Sequence, residues 1–130
     1  MKSPCITLYG IPNCDTVKKS RAWMTEHGLQ YEFHDFKKQG VPAEQLAEWT
    51  QALGWQKLLN RQGTTWRKLD PKVQAAVQDD ATARATMQNH PSTIKRPVVA
   101  WPVAGHTELQ ICVGFAPEQW LALMAMPRQD

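Results

Sequence analysis

The stretch Tyr9–Met24, "YGIPNCDTVKKSRAWM", runs from the end of an apolar segment through a turn into a helical pattern, with one cysteine, Cys14, at the bend. The residues before it, Cys5 to Tyr9, are β-prone and bounded by Pro4 and Gly10, which suits a buried strand. The helix is expected from about Cys14 to His27, with Gly28 as its C-terminal stop. "LQYEFHDF" then alternates, Tyr31 and Phe33 on one face and Glu32 and His34 on the other, which is the period of a strand. Strand, helix and strand make a βαβ unit, so the two strands should be parallel and joined by a right-handed crossover.

Outward from this unit the middle of the chain is helical. Pro42 fits a first helical position, Leu46, Trp49 and Leu53 recur at helical spacing, and Gly54 closes the segment. A shorter turn through Trp55 to Leu59 leads to "NRQGTTWRKL", whose Gly and paired Thr read as loop. Asp70 and Pro71 look like an N-cap and a first helical proline, opening a helix to about Gln78. Another helix is expected from Ala81 to Asn89 with Asp80 as its cap. After "HPSTIKRP", the segment "VVAWPVAGHTELQICV" holds two apolar runs around a turn at Gly105-His106, a β-hairpin. Pro117 and the spacing of Trp120, Leu121 and Met124 close the chain with a helix. The order is β-α-β, several helices, β-β, α, an α/β arrangement in one domain over residues 1–130, with no internal repeat or linker.

At 130 residues the chain can bury a core without disulfide or metal staples. No apolar run approaches the roughly 18 residues of a membrane span, and the start lacks the long apolar core of a secretory peptide, so a soluble, cytoplasmic protein is expected. Three cysteines, Cys5, Cys14 and Cys112, are an odd number far apart in sequence, which argues against a disulfide framework, and neither they nor the four histidines show zinc spacing. No metal site is expected. The formal charge of +3 is spread over scattered lysines and arginines, which does not support direct nucleic-acid binding. Trp49, Trp55, Trp66, Trp101 and Trp120 lie on different elements and read as packing residues, "FKKQG" around Lys37 and Lys38 as a solvated loop, and His27, His34, His90 and His106 as solvated side chains.

A helix N-terminus leaves backbone N–H groups unpaired and carries a positive dipole end, so a thiolate at Cys14 is stabilised there. Its pKa should fall below that of a free thiol, and Lys18 one turn on, with Lys19 beside it, would push the same way. The N–H groups of residues 14 to 17 form an anion pocket, to which the Thr16 hydroxyl can add a donor. Asp15 opposes this unless its carboxylate points at the helix amides or outward. The same cysteine can also cap or pack without reacting. Cys5 and Cys112 lie in apolar, strand-like stretches where a free cysteine is usually a small buried hydrophobe. "IKRPVV" is the second element of interest: X-Pro can adopt a cis bond beside a site, and Arg96 offers a fork of donors suited to a carboxylate or oxyanion, although a surface ion pair is its ordinary use.

"YGIPNCDTVKKSRAWM" together with "KRPVV", a hairpin and a closing helix resembles the ArsC-like proteins of the thioredoxin superfamily, which include arsenate reductases and Spx-type regulators, over roughly residues 5 to 125. "NCDTVKK" and "GTTWRKL" together resemble the branch named after YffB. The resemblance implies a thioredoxin-like fold with a mixed sheet and a helical insertion over about residues 41–95. It implies a nucleophilic cysteine at Cys14 and a cis-proline at Pro97; with the residues around them, Asn13, Thr16, Lys18, Arg61, Arg96 and Pro97 are the candidate substrate- or thiol-binding residues. Arg96 matches an arginine that holds the oxyanion in arsenate reductases, where glutathione resolves the adduct on the cysteine.

Departures from the pattern shape the expected function. Of three arginines that the resemblance places around an oxyanion, Arg96 alone is in register; Arg61 sits about one position from the second, and Val113 and Gly114 stand where the third would be. Charge-assisted hydrogen bonds contribute about 1.5–3 kcal/mol each, so their loss weighs against arsenate. Many Spx-type proteins carry Cys-x-x-Cys, but Val17 occupies the position three after Cys14, which excludes an intramolecular switch of that kind. A lone activated thiol suits chemistry resolved from outside, so a monomeric, glutathione-dependent thiol–disulfide oxidoreductase is expected, with glutathione as co-substrate and no bound cofactor. The alternative is an Spx-like module that binds RNA polymerase without turnover.

Overall fold

A computed structural model of the chain describes residues 5–126. They group into two compact units, one from residues 5–35 and 96–126 and the other from Phe36–Lys95.

The first unit holds the sheet. Strand β1, Ile6–Gly10, leads into helix α1, Asp15–Glu26, and strand β2, Tyr31–Asp35; strands β3, Val98–Trp101, and β4, Gln110–Val113, precede the closing helix, Pro117–Met124. The strand order is β2-β1-β3-β4. β1 and β2 are parallel, with Ile6 opposite Tyr31 and Gly10 opposite Asp35, while β3 is antiparallel to both β1 and β4. This mixed sheet with helices is the expected α/β, thioredoxin-like arrangement. Ile6 and Leu8 of β1, Val99 and Trp101 of β3, Val17 and Met24 of α1, and Trp120 and Leu123 of the closing helix share one buried core.

The helix expected at residues 14–27 ends as its sequence dictates, at Gly28 with φ 69°, a left-handed backbone that glycine adopts without a Cβ clash. Tyr31 and Phe33 pack toward the core while Glu32 is exposed, in keeping with the alternation. In the closing helix the buried face is Trp120 and Leu123; Leu121 and Met124, expected with Trp120 on the apolar stripe, are 50% and 37% exposed. The i, i+3 pair Trp120 and Leu123 defines the side that meets the sheet, and Leu121 lies about 100° around the helix from Trp120.

Gly10 marks the approach of β1 to α1. A Cβ there would stand 2.8 Å from Cγ2 of Val17, a fully buried, β-branched side chain with little rotamer freedom. Gly10→Ala is therefore expected to destabilise the protein by about 1–3 kcal/mol through overpacking, read by urea denaturation, and to slow Cys14 alkylation by displacing the first turn of α1.

The second unit is helical: α2, Phe36–Gln39; α3, Ala43–Leu53; α4, Trp55–Leu58; α5, Thr64–Lys68; α6, Pro71–Ala76; α7, Asp80–Asn89. The closing helix of the first unit is accordingly α8. Asp70 caps α6 as expected, accepting from the Lys72 N–H at 2.8 Å. Three expectations are corrected. "FKKQG" contains α2, with Phe36 buried and Lys37 and Lys38 exposed, so the unit begins before residue 41. The stretch read as loop contains α5, because Gly63 is extended and its carbonyl accepts the Arg67 N–H at 3.2 Å, opening a single turn whose first positions the paired threonines fill. The cap of α7 is Asp79 rather than Asp80: Asp79 accepts from the Thr82 N–H at 2.9 Å and its own N–H donates to Thr82 Oγ1 at 3.0 Å. That reciprocal box needs a residue three before Thr82, and Asp80, one position on, instead pairs with Arg84 at 2.7 Å.

Candidate active site

After β1, Ile11 is buried and Pro12 and Asn13 are exposed, and the chain reaches Cys14 in an extended conformation, φ −148° and ψ 123°. Cys14 is thus the N-cap of α1, and its carbonyl accepts the Lys18 N–H at 2.9 Å. By strict geometry the sulfur closes no cap hydrogen bond, yet the Val17 and Thr16 N–H groups lie close enough to act on its charge. Burial pushes the half-buried thiol up; the Val17 N–H, the hydrogen bond and charge of Arg96, and the Thr16 N–H together outweigh it, and the pKa falls below the ordinary thiol value.

Arg96 comes to Cys14 through sheet topology. β3 runs antiparallel to β1 with Val98 opposite Tyr9, so the residues just before β3 lie beside the end of β1, where the chain turns to Cys14. The Arg96–Pro97 peptide bond is cis. Pro97 is buried, and its carbonyl accepts the Gly114 N–H at 2.8 Å, which ties the end of β4 to the residue after Arg96. Gly114 has φ 82°, a left-handed conformation. Its part in holding Pro97 was not foreseen from sequence, where the only signal is a glycine directly after the second apolar run of the hairpin.

Among the other expected site residues, Asn13, Thr16 and Lys18 are exposed on the same turn. Thr16 contributes its N–H to the thiol, while its carbonyl accepts Ser20 Oγ at 2.7 Å. The cation that lowers the thiol pKa is Arg96 and not Lys18, and the Lys19 ammonium lies 4.4 Å from the Phe115 ring centroid. Arg61 belongs to the second unit, where it is exposed with its guanidinium 5.0 Å from the Trp55 ring.

Cys112 is buried as expected, and desolvation raises its pKa. Cys5 is exposed, contrary to expectation, because β1 begins one residue later and leaves it outside the ladder. His34 is half-buried, its ring 5.0 Å from that of Tyr9. Trp49, Trp101 and Trp120 are core residues, and Trp55 and Trp66 are half-buried. Among the described residues no three His, Cys, Asp or Glu side chains gather as metal ligands would, and no helix is long and apolar enough to cross a membrane.

A half-buried thiol on a helix N-cap, held below its ordinary pKa by backbone N–H groups and by an arginine that precedes a cis-proline, has the geometry that nucleophilic sulfur chemistry can use. Known proteins resemble the chain in sequence and fold. An uncharacterised protein of Haemophilus influenzae is 39% identical over 120 residues, covering 92% of this chain and 99% of its own. Among solved structures, a protein named YFFB is 45% identical with a TM-score of 0.81, covering 92% of this chain and 99% of its own. An arsenate reductase (ArsC) related protein from Brucella melitensis is 44% identical with a TM-score of 0.66, covering 97% and 99%. More distant is the global transcriptional regulator Spx of Staphylococcus saprophyticus, 21% identical over 72% of each chain. The sequence pattern of the ArsC family matches residues 9–123, which include Cys14, Arg96 and Pro97, and the chain belongs to the ArsC family.

Proposed function

We propose that the protein is a cytoplasmic thiol–disulfide oxidoreductase that uses Cys14 as its single nucleophile and glutathione as co-substrate. The observation that carries this reading is the convergence of the Val17 and Thr16 N–H groups and the Arg96 guanidinium on one half-buried sulfur. In the first step the Cys14 thiolate attacks the glutathione sulfur of a mixed disulfide, forming Cys14–S–S–glutathione and releasing the substrate as a thiolate. A second glutathione thiolate then attacks the glutathione sulfur of this adduct, releasing the Cys14 thiolate and oxidised glutathione. The sequence is two thiol–disulfide exchanges that conserve one disulfide: the substrate sulfur is reduced to a thiol, and the sulfur of the second glutathione is oxidised into the disulfide of oxidised glutathione. A lowered thiol pKa serves both steps, since Cys14 is present as thiolate when it attacks and is a good leaving group when it departs.

Asn13, Thr16 and Lys18 line the exposed side of the turn and supply polar contacts to the bound thiol in this reading. Arsenate is not the substrate proposed: Arg96 is the cation acting on Cys14, and a multiply charged oxyanion would meet a guanidinium already engaged with the thiolate. The direct test is turnover of a small glutathione mixed disulfide with glutathione and glutathione reductase. Cys14→Ser should lose activity to background while Cys5→Ser retains it; full activity in Cys14→Ser would end this reading.

A second reading rests on the Spx relative: a regulator that binds RNA polymerase, with Cys14 as a modifiable group. Equal capture of purified polymerase by the wild-type protein and Cys14→Ala, with no turnover by either, would favour it.

A further inference from the structure

The first unit has a groove away from the chemistry of Cys14. It holds about 550 Å³ and is lined by Arg21 of α1 with Leu29, Gln30, Tyr31 and Phe33 on and before β2. Leu29, Tyr31 and Phe33 are half-buried and packed against the core, so the groove sets one aliphatic and two aromatic side chains beside the polar Arg21 and Gln30. Arg21 is fixed across it. Its Nε donates to the Tyr31 hydroxyl at 3.0 Å, and its guanidinium carbon lies 4.3 Å from the Phe33 ring centroid and 6.0 Å from that of Tyr31. Arg21 makes no ion pair among the described residues, so a guanidinium with a fixed plane stands over an aromatic floor without an acid to match it. Holding the side chain this way removes much of the rotamer entropy that a salt bridge to a flexible arginine would cost.

The strand beside the groove decides what shape of ligand fits. β2 is the outermost strand of the sheet, paired with β1 on one side only. In a parallel ladder alternate residues turn their N–H and C=O groups outward, so an edge strand presents a row of donors and acceptors to an extended chain. Of the two carboxylates on β2, Glu32 lies on the opposite face from Tyr31 and Phe33, and Asp35, at the end of the strand on their face, is buried and does not line the groove.

We propose that this groove binds an extended acidic peptide segment of a partner protein. The segment adds along β2 as a further strand, sets apolar side chains on Leu29, Tyr31 and Phe33, and places a carboxylate on Arg21. Main-chain hydrogen bonds give such a complex its affinity, and the Arg21 carboxylate pair gives it its selectivity. Nucleic acid does not fit the groove, because a single cation neutralises too little phosphate charge.

The test uses two fluorescein-labelled, terminally blocked heptapeptides, one alternating valine and glutamate and the other valine and lysine. The glutamate peptide is expected to bind about tenfold or more tightly than the lysine peptide by fluorescence anisotropy at low salt. Arg21→Gln should remove most of that difference. Because Arg21 also pins Tyr31, Gln30→Glu serves as a second variant: Gln30 is exposed, and an added negative charge there should weaken the glutamate peptide and leave the fold unchanged. Binding should slow amide hydrogen exchange in β2. Equal affinity for the two peptides, no binding of either, or binding without protection of β2 would overturn the proposal. Competition by free glutamate as effective as the peptide would also overturn it, since that marks a small-anion site.

Discussion

Trp120→Ala is expected to lower stability by about 3–5 kcal/mol, the cost of deleting a fully buried tryptophan and leaving a cavity. Trp120 is 0% exposed and joins α8 to the rest of the first unit through Phe115, edge-on with centroids 5.5 Å apart, and Trp23, tilted at 5.2 Å. Its indole N–H has no acceptor among the described residues, so the large effect comes from packing and not from a lost hydrogen bond. The indole therefore has a counter-term. Trp120→Phe keeps a ring in the core and removes a buried donor whose burial costs about 1–3 kcal/mol, so its loss should be much smaller than that of Trp120→Ala. Urea denaturation of the two variants separates these contributions: near-equal losses would show that the indole N–H is satisfied and that packing alone is not the cause. Since Gly114 and Phe115 lie between β4 and α8, loosening of α8 should also reach Pro97 through its hydrogen bond to Gly114.

Arg96→Ala is expected to have the largest effect on reactivity that leaves the nucleophile in place. The guanidinium both hydrogen-bonds Cys14 and acts on it through its charge, and the burial that pushes the thiol up remains when Arg96 is removed. The thiol pKa is therefore expected to rise in Arg96→Ala, leaving less thiolate at a pH below the ordinary thiol value; the site is partly open to water, which screens part of the charge effect. Arg96→Lys should fall between the two, because it restores charge without the planar fork. The rate of iodoacetamide alkylation against pH reads this directly: the profile should move to higher pH in Arg96→Ala and keep its plateau at high pH. The same shift governs stability. A folded thiol with a depressed pKa adds stability that is present above the unfolded value and is lost as pH falls through the folded one. Wild-type stability should therefore rise with pH across that window, and Arg96→Ala should show less of this rise.

Most of the elements that place the site are legible in the residues themselves. The β-prone run before Gly10, the Gly28 stop and the alternation of Tyr31, Glu32, Phe33 and His34 are local signals, and each matches a strand or helix end in the structure. Cys14 at the helix start follows from the same logic. Sequence reasoning went astray where a long-range or reciprocal contact decides the outcome. Lys18 is the obvious cation by sequence distance, but the guanidinium at the thiol is Arg96, more than eighty positions away, because β3 pairs antiparallel with β1. Asp79 and Asp80 are equally good caps by residue type, and only the reply from Thr82 selects Asp79. The α5 turn and the exposure of Cys5 depend on where a helix or ladder stops by a single residue, which composition does not specify.

The central claim, that Cys14 is an activated thiol open to glutathione, is tested most directly in a protein with Cys5 and Cys112 replaced by alanine. The measurement is the pH dependence of Cys14 alkylation, together with mass spectrometry after exposure to oxidised glutathione. The predicted result is a reactive pKa below that of a free thiol and one glutathione per chain, carried on Cys14 and removed by reduced glutathione. A thiol that titrates at or above the ordinary cysteine value and takes up no glutathione would contradict it.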